Sequence, residues 1–219
     1  MILDIEIVDW KTRPITNKPE MYFSDATQQP PSVDHLLETH HQFYGRPWAL
    51  GKCLFDTALE CGIKPQFNVL DFGCGAGRLA IWLVGYLEYG RYFGVEAHYN
   101  SIDALLRYEL PLYGLSHKKA RVLHDSEINL DVFGASFDFV IDAYSSVHLD
   151  SARAAVYRER LPTVVKKGGM VLISPVPERC DNAFFPEFEV VRRFSSSCEL
   201  ILNSGKDKIT EWSLFRKLS

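Results

Sequence analysis

The segment Val69-Leu-Asp71-Phe72-Gly73-Cys74-Gly75-Ala-Gly77-Arg78 sets three glycines in alternation just after a carboxylate. Glycine supplies backbone conformations with positive φ and lets a ligand come close to the main chain. An apolar run precedes the glycines and a helical pattern follows them. The segment therefore reads as a strand-to-helix turn whose helix N–H groups face a ligand. Two ligand classes use such a turn. Gly75-Ala-Gly77-Arg-Leu-Ala80 satisfies the GxGxx[GA] pattern of dinucleotide sites, with Glu96 about twenty residues further on. Asp71 argues for the other class, because a carboxylate at the strand end repels a pyrophosphate and attracts a cation. S-adenosylmethionine carries an ammonium and a sulfonium and no phosphate, which suits that carboxylate.

The elements that must hold these residues follow from hydrophobic patterning. The chain reads as a strand (Asn68 to Phe72), the glycine turn, a helix (Arg78 to Glu88), a strand (Tyr92 to Glu96), a helix from Ser101 to Leu110 stopped by Pro111, and a strand (Arg121 to His124). Next come a strand (Phe137 to Ala143), a helix from Ser151 to Val165 with Pro162 as a kink point, the pair Gly168-Gly169, and a strand (Met170 to Ser174). Short strands alternating with helices predict βαβ units in a parallel sheet. Beyond Pro186 the helices stop, and Phe188 to Phe194, Cys198 to Asn203 and Ile209 to Leu218 read as strands, the last two joined across Asn203-Ser-Gly-Lys. The sheet is expected to end in antiparallel strands. Before residue 65 the texture is loop-rich, with a helix opening at Ser32 and another from Pro47 to Cys61. Residues 1–64 are expected to form an N-terminal cap over a domain of residues 65–219.

The glycine segment resembles the DxGxGxG signature of class I S-adenosylmethionine-dependent methyltransferases, and other segments follow in the family's order over roughly residues 65–175. Arg91-Tyr-Phe-Gly-Val-Glu96 resembles the second strand, whose terminal acid takes the ribose hydroxyls. Val122-Leu-His-Asp125 resembles the third, whose acid contacts the adenine amino group, with Ser126 or Glu127 as substitutes. Phe137-Asp-Phe-Val-Ile-Asp142 with Ser145-Ser-Val-His148 resembles the fourth strand and its loop. Lys167-Gly-Gly-Met-Val-Leu-Ile-Ser174 resembles the turn and fifth strand, with lysine where the family often has proline. The resemblance implies a Rossmann-like, seven-stranded, mostly parallel α/β sheet with helices on both faces and a reversed C-terminal strand. It also implies a cofactor site at Asp71, Phe72, Gly73, Cys74, Gly75, Gly77, Glu96, Ala97, Asp125, Ser126 and Ala143. The cofactor would be S-adenosylmethionine and the product S-adenosylhomocysteine, with a small oxygen, nitrogen or sulfur nucleophile as acceptor.

Methyl transfer from a sulfonium is an in-line displacement, so alignment can suffice when the acceptor is already a good nucleophile. A hydroxyl acceptor needs a base, and His148, with Tyr144 before it, is the candidate past the fourth strand. Tyr22, His40, His41 and Tyr44 are expected to wall the acceptor pocket from the cap. Asp142 sits where catechol-type enzymes place a metal ligand, but the fifth strand offers no Asp-Asn pair, so no metal is expected. Twenty-four basic against 28 acidic residues leave a net charge of −4, without the positive field that phosphate binding needs, so no nucleic-acid partner is expected. The five cysteines form no CxxC pair, which indicates free thiols in a reducing, cytoplasmic setting. The acidic N-terminus and the brevity of the apolar run Leu79 to Val84 speak against export and membrane insertion. A strand-like start and a long final hairpin are compatible with a homodimer.

Overall fold

Continuous β-branched and aromatic runs produce strands that are buried on both faces. The computed structural model describes residues 18–27, 50–175, 185–198 and 208–218. The described strands are β1 (Glu20–Phe23), β2 (Val69–Phe72), β3 (Tyr92–Glu96), β4 (Arg121–His124), β5 (Phe137–Ala143), β6 (Val165–Ser174), β7 (Phe188–Cys198) and β8 (Lys208–Lys217). They join one sheet in the order β1-β4-β3-β2-β5-β6-β8-β7. β2 to β6 run parallel, while β1 pairs antiparallel with β4, and β8 runs antiparallel between β6 and β7. The sheet thus has eight strands among the described residues rather than the seven expected. The addition is β1, a four-residue edge strand too short to stand out as an alternating pattern.

Helices cover both faces. On one face lie α1 (Lys52–Glu60), α2 (Ala80–Tyr86) and α3 (Tyr99–Ala104), the last continuing through a π turn (Leu105–Glu109) into α4 (Leu110–Leu112). Their apolar residues, such as Leu54, Leu83 and Leu105, pack on Val69, Phe139 and Leu172 of the sheet. On the other face α5 (Ser151–Val164) lays Tyr157, Leu161 and Val164 against Leu70, Val140 and Val171. Adjacent strand residues such as Val69 and Leu70 enter different clusters, as the two-residue period of a strand requires. α1 falls within the N-terminal segment read as cap, and it packs into the sheet's own core. Gly51 permits this, since a Cβ there would lie 2.0 Å from the Arg78 carbonyl oxygen.

Three local expectations are corrected. Pro111 does not stop the helix at Leu110: it lies in α4 directly after the π turn, and the helical run reaches Leu112. The Gly168-Gly169 turn is looped out of β6: Phe137 opposes Val165 while Phe139 opposes Met170. β7 extends from Phe188 through Cys198 against β8, past the expected end at Phe194 and with a register shift between Val190 and Arg192; beyond Cys198 the expected strand to Asn203 lies outside the described residues. The Asn203 hairpin lies outside the described residues, as do the Ser32 helix, His40, His41 and Tyr44.

Candidate functional site

The chain progresses from β2 to β4 towards one edge and from β5 onward towards the other, so the sheet has a topological switch point between β2 and β5. Ligands of open α/β sheets bind outside the carboxyl ends of strands at such a point. A cavity of about 610 Å³ opens there, within the range of small-ligand sites. Its wall includes Asp71, Phe72, Gly73, Cys74 and Gly75 from the turn, Glu96 and Ala97 after β3, Asp125 and Ser126 after β4, and Ala143, Tyr144 and His148 after β5. Sequence reasoning missed Leu54, His98, Ile128 and Arg153 on this wall. His98 is adjacent to the expected Ala97, whereas nothing local marks Leu54 or Ile128.

Gly77 does not line the cavity. Its φ is +101°, and a Cβ there would lie 2.9 Å from Leu105 Cδ1, so this glycine serves close packing against the π turn. Gly75 has φ of +56°, and a Cβ there would meet nothing within 4 Å, so this position leaves the cavity open.

Four N–H groups of the turn itself are used within the protein. Gly73 and Cys74 both donate to the Val95 carbonyl at 2.8 and 3.0 Å, and Gly77 donates to the Cys74 carbonyl. Gly75 donates to Glu96 Oε2 at 2.9 Å. These N–H groups are consumed inside the protein and are not aimed at an anion. The cavity wall beside them carries the carboxylates Asp71, Glu96 and Asp125, together with Arg78, Arg153, His98 and His148.

Asp71, only 3% exposed, has its carboxyl pushed up to about 7 by burial, against the hydrogen bond from the Tyr92 hydroxyl and with the help of the Glu96 and Asp142 charges. Glu96 accepts from the backbone at both oxygens, from Gly75 at Oε2 and from His98 at Oε1, each at 2.9 Å. Each carboxylate oxygen has a second lone pair, so the fixed Glu96 can still receive two neighbouring hydroxyls.

Asp125 is occupied differently. Its Oδ1 accepts from the Glu127 N–H and Asn129 Nδ2 at 3.0 Å, and its Oδ2 accepts from the Asn129 N–H at 2.5 Å. Its principal work is to shape its own loop. Within that loop Ile128, a buried β-branched residue, has φ of +61°, a conformation such side chains avoid. Two arginines of α5 hold the loop from outside: Arg153 donates to the Ser126 carbonyl, and Arg160 to the Glu127 carbonyl and Asn129 Oδ1. Ile128 is thereby kept as an apolar part of the wall.

After β5, Asp142 is fully buried and lies off the cavity wall. Its Oδ1 accepts from the Ser145 and Ser146 N–H groups, and its Oδ2 from the Tyr157 hydroxyl at 3.0 Å. This carboxylate is committed to the turn that presents Tyr144 and His148. Among the described residues no cluster of His, Cys, Asp or Glu suits a metal ion. Tyr144 has φ of +65° and shares a short hydroxyl hydrogen bond with Thr210 of β8, while His148 is exposed at the cavity. Tyr22 lies away from the described wall, in β1, where it pairs with Val122 and packs edge-on against Tyr99. No helix among the described residues is long and apolar enough to cross a membrane.

A Rossmann-like sheet with a reversed strand beside the last parallel one, and acids after three adjacent strands, defines the class I methyltransferase architecture. Residues 70–171 match the family model of a methyltransferase domain. Over that stretch the chain is similar to methyltransferase domains, and its fold is that of class I S-adenosylmethionine-dependent methyltransferases. Among solved structures, TrmN from Thermus thermophilus is similar with a TM-score of 0.61 at 18% identity, covering 77% of this chain and 48% of that one. Magnesium protoporphyrin IX methyltransferase from Synechocystis PCC 6803, solved with bound S-adenosylmethionine, gives 0.54 at 15% identity, covering 86% and 85%. An rRNA methylase from Streptococcus thermophilus gives 0.51 at 12% identity, covering 78% and 95%. The chain spans about half the length of the Thermus protein it matches. Nucleic-acid and small-molecule enzymes thus share this fold, which leaves the acceptor to be argued from the site.

Proposed function

We propose that this chain binds S-adenosylmethionine in the cavity and transfers its methyl group to an oxygen, nitrogen or sulfur of a small-molecule acceptor. The observation that carries the reading is the pair of buried carboxylates, Asp71 and Glu96, facing a cavity beside which Gly73, Cys74, Gly75 and Gly77 donate their N–H groups within the protein. On the Asp71–Glu96 side this wall disfavours a pyrophosphate and favours a ligand that is cationic at one end and hydroxyl-rich in the middle. Asp71 would hold the ammonium, Glu96 the ribose hydroxyls, and the Asp125–Ile128 loop the adenine. The open backbone at Gly75 gives the ligand room for close approach.

When bound, the cofactor supplies a methyl carbon already activated by its sulfonium, and S-adenosylhomocysteine is left behind. The chain's own residues orient and desolvate. Tyr144, fixed by Thr210, and His148 stand on the wall where the acceptor would enter, and His148 would take the proton of a hydroxyl acceptor. Residues 1–64 would close the pocket as a cap, with α1 anchoring that segment to the sheet. The net charge of −4 supports a small acceptor over a polyanion.

The test is methyl transfer from labelled S-adenosylmethionine into a metabolite panel and, separately, into total RNA. Label in a small product, reduced in His148→Ala, is expected. Label in RNA alone would replace the small-acceptor reading. Tight cofactor binding with no transfer to either would point to a non-methylating enzyme or a cofactor-binding subunit.

A further inference from the structure

The pairing that seats Asp71 also supplies its partner. Asp71 lies in register with Gly94 of β3, and Tyr92 stands two residues before Gly94, on the same face of the strand. The Tyr92 side chain crosses Gly94 and sets its hydroxyl 3.0 Å from Asp71 Oδ2. A side chain at position 94 would obstruct this path, since its Cβ would lie 3.0 Å from the Tyr92 oxygen and 2.9 Å from Cys74 Sγ. The glycine in the middle of β3 is therefore the space through which a buried phenol reaches a buried carboxylate. Both side chains are nearly excluded from solvent, Tyr92 at 2% and Asp71 at 3%. Among the described residues this phenol gives Asp71 its one side-chain hydrogen bond.

We propose that Tyr92 is a positioning residue for the amino-acid end of the cofactor, acting through Asp71. The inference rests on the S-adenosylmethionine reading and assigns the residue that tunes its ammonium site. A donor on Oδ2 fixes the rotation of the carboxylate and leaves Oδ1 to serve the cavity that Asp71 lines. It also favours the charged form of Asp71 against burial and against the acids that face it, Glu96 from β3 and Asp142 from β5, with the neutral Cys74 thiol beside them. Without the phenol the carboxyl holds its proton to higher pH, and a protonated carboxyl does not attract an ammonium.

The experiment is a calorimetric titration of wild type, Tyr92→Phe, Asp71→Asn and the double variant with two ligands. S-adenosylhomocysteine carries the ammonium, and 5′-methylthioadenosine lacks the whole amino-acid arm. Tyr92→Phe should bind S-adenosylhomocysteine about tenfold more weakly, as expected for losing a hydrogen bond to a charged group. The deficit should widen as pH falls from about 7.5 to about 6, where the deprived carboxyl protonates first. Affinity for 5′-methylthioadenosine should stay within about twofold, and Tyr92→Phe should add nothing in the Asp71→Asn background, since a residue acting through another shows no separate effect once its partner is gone. Gly94→Ala, which crowds the phenol without removing it, should give the same ligand-selective loss. Equal losses for both ligands would mean a general packing role, and additive losses with Asp71→Asn would mean an independent one. Either result overturns the inference. Failure of folded wild-type protein to bind either ligand would overturn the cofactor reading and the inference with it.

Discussion

Asp71→Asn is expected to stabilise the ligand-free protein by an amount that grows with pH. Burial lifts the Asp71 carboxyl to about 7 from an ordinary 3.8. The folded chain therefore holds this proton more tightly than the unfolded chain does. Its contribution to stability is fully present below about 3.8 and is lost as pH rises through about 7. At about 1.4 kcal/mol for each pH unit between the two values, the loss reaches about 4 kcal/mol at pH 8. Asparagine keeps an oxygen to accept the Tyr92 hydroxyl and has no charge to desolvate, so it escapes the loss. Asp142, which burial also raises, is present in both proteins, and its charge is one of the causes that lift Asp71. For a chain of this size the gain corresponds to roughly 10 °C in Tm at pH 8 and almost nothing at pH 4. Thermal unfolding followed by circular dichroism across that pH range measures it directly. A Tm difference that is flat with pH, or that shrinks as pH rises, would refute the reasoning.

Further perturbations separate the roles of the other residues. Glu96→Gln replaces one of two accepting oxygens by a donor, orphans a backbone N–H of Gly75 or His98, and should cost about 1–3 kcal/mol of stability by chemical denaturation. The same variant should weaken S-adenosylhomocysteine and 5′-methylthioadenosine alike, and a loss confined to the former would contradict a ribose role. Arg160→Met removes the contacts to the Glu127 carbonyl and Asn129 Oδ1. Hydrogen exchange at Ile128 and Asn129 should then quicken and affinity for both ligands should fall by about five- to tenfold, an ordinary charged hydrogen-bond loss. Unchanged exchange would count against the clamp. Replacing residues 28–45 by a short flexible linker, which leaves β1 in the sheet, should abolish turnover while cofactor affinity by calorimetry stays within about threefold, as for removal of a closing element. Full turnover by the shortened chain would sink the cap.

The central strands are legible in the sequence because burial on both faces makes them short, continuous apolar runs. Tyr92 to Glu96 and Phe137 to Ala143 have the same ends in sequence and structure. Asp71, Glu96 and Asp125 stand out for the same reason, as polar residues that interrupt or end such runs. Other features depend on contacts that no local pattern carries. Ile128 adopts a backbone shape its side chain disfavours because Asp125, Asn129 and Arg160, spread over more than thirty positions, hold it there. The partnership of Tyr92 with Asp71 depends on strand register, and Gly94 is intelligible only once Tyr92 is seen to pass over it. The glycine turn is plain in the sequence, but the direction of its N–H groups depends on where Val95 and Glu96 lie after β2 and β3 pair. β1 escapes notice because four residues at a sheet edge do not establish a period.

The most direct test of the cofactor assignment is a calorimetric titration of wild-type protein and Asp71→Asn with S-adenosylmethionine, S-adenosylhomocysteine and NAD. Micromolar binding of both sulfur compounds by the wild type, weakened in the variant and absent for NAD, is the expected result. A folded protein that binds neither sulfur compound, or that prefers NAD, would contradict it.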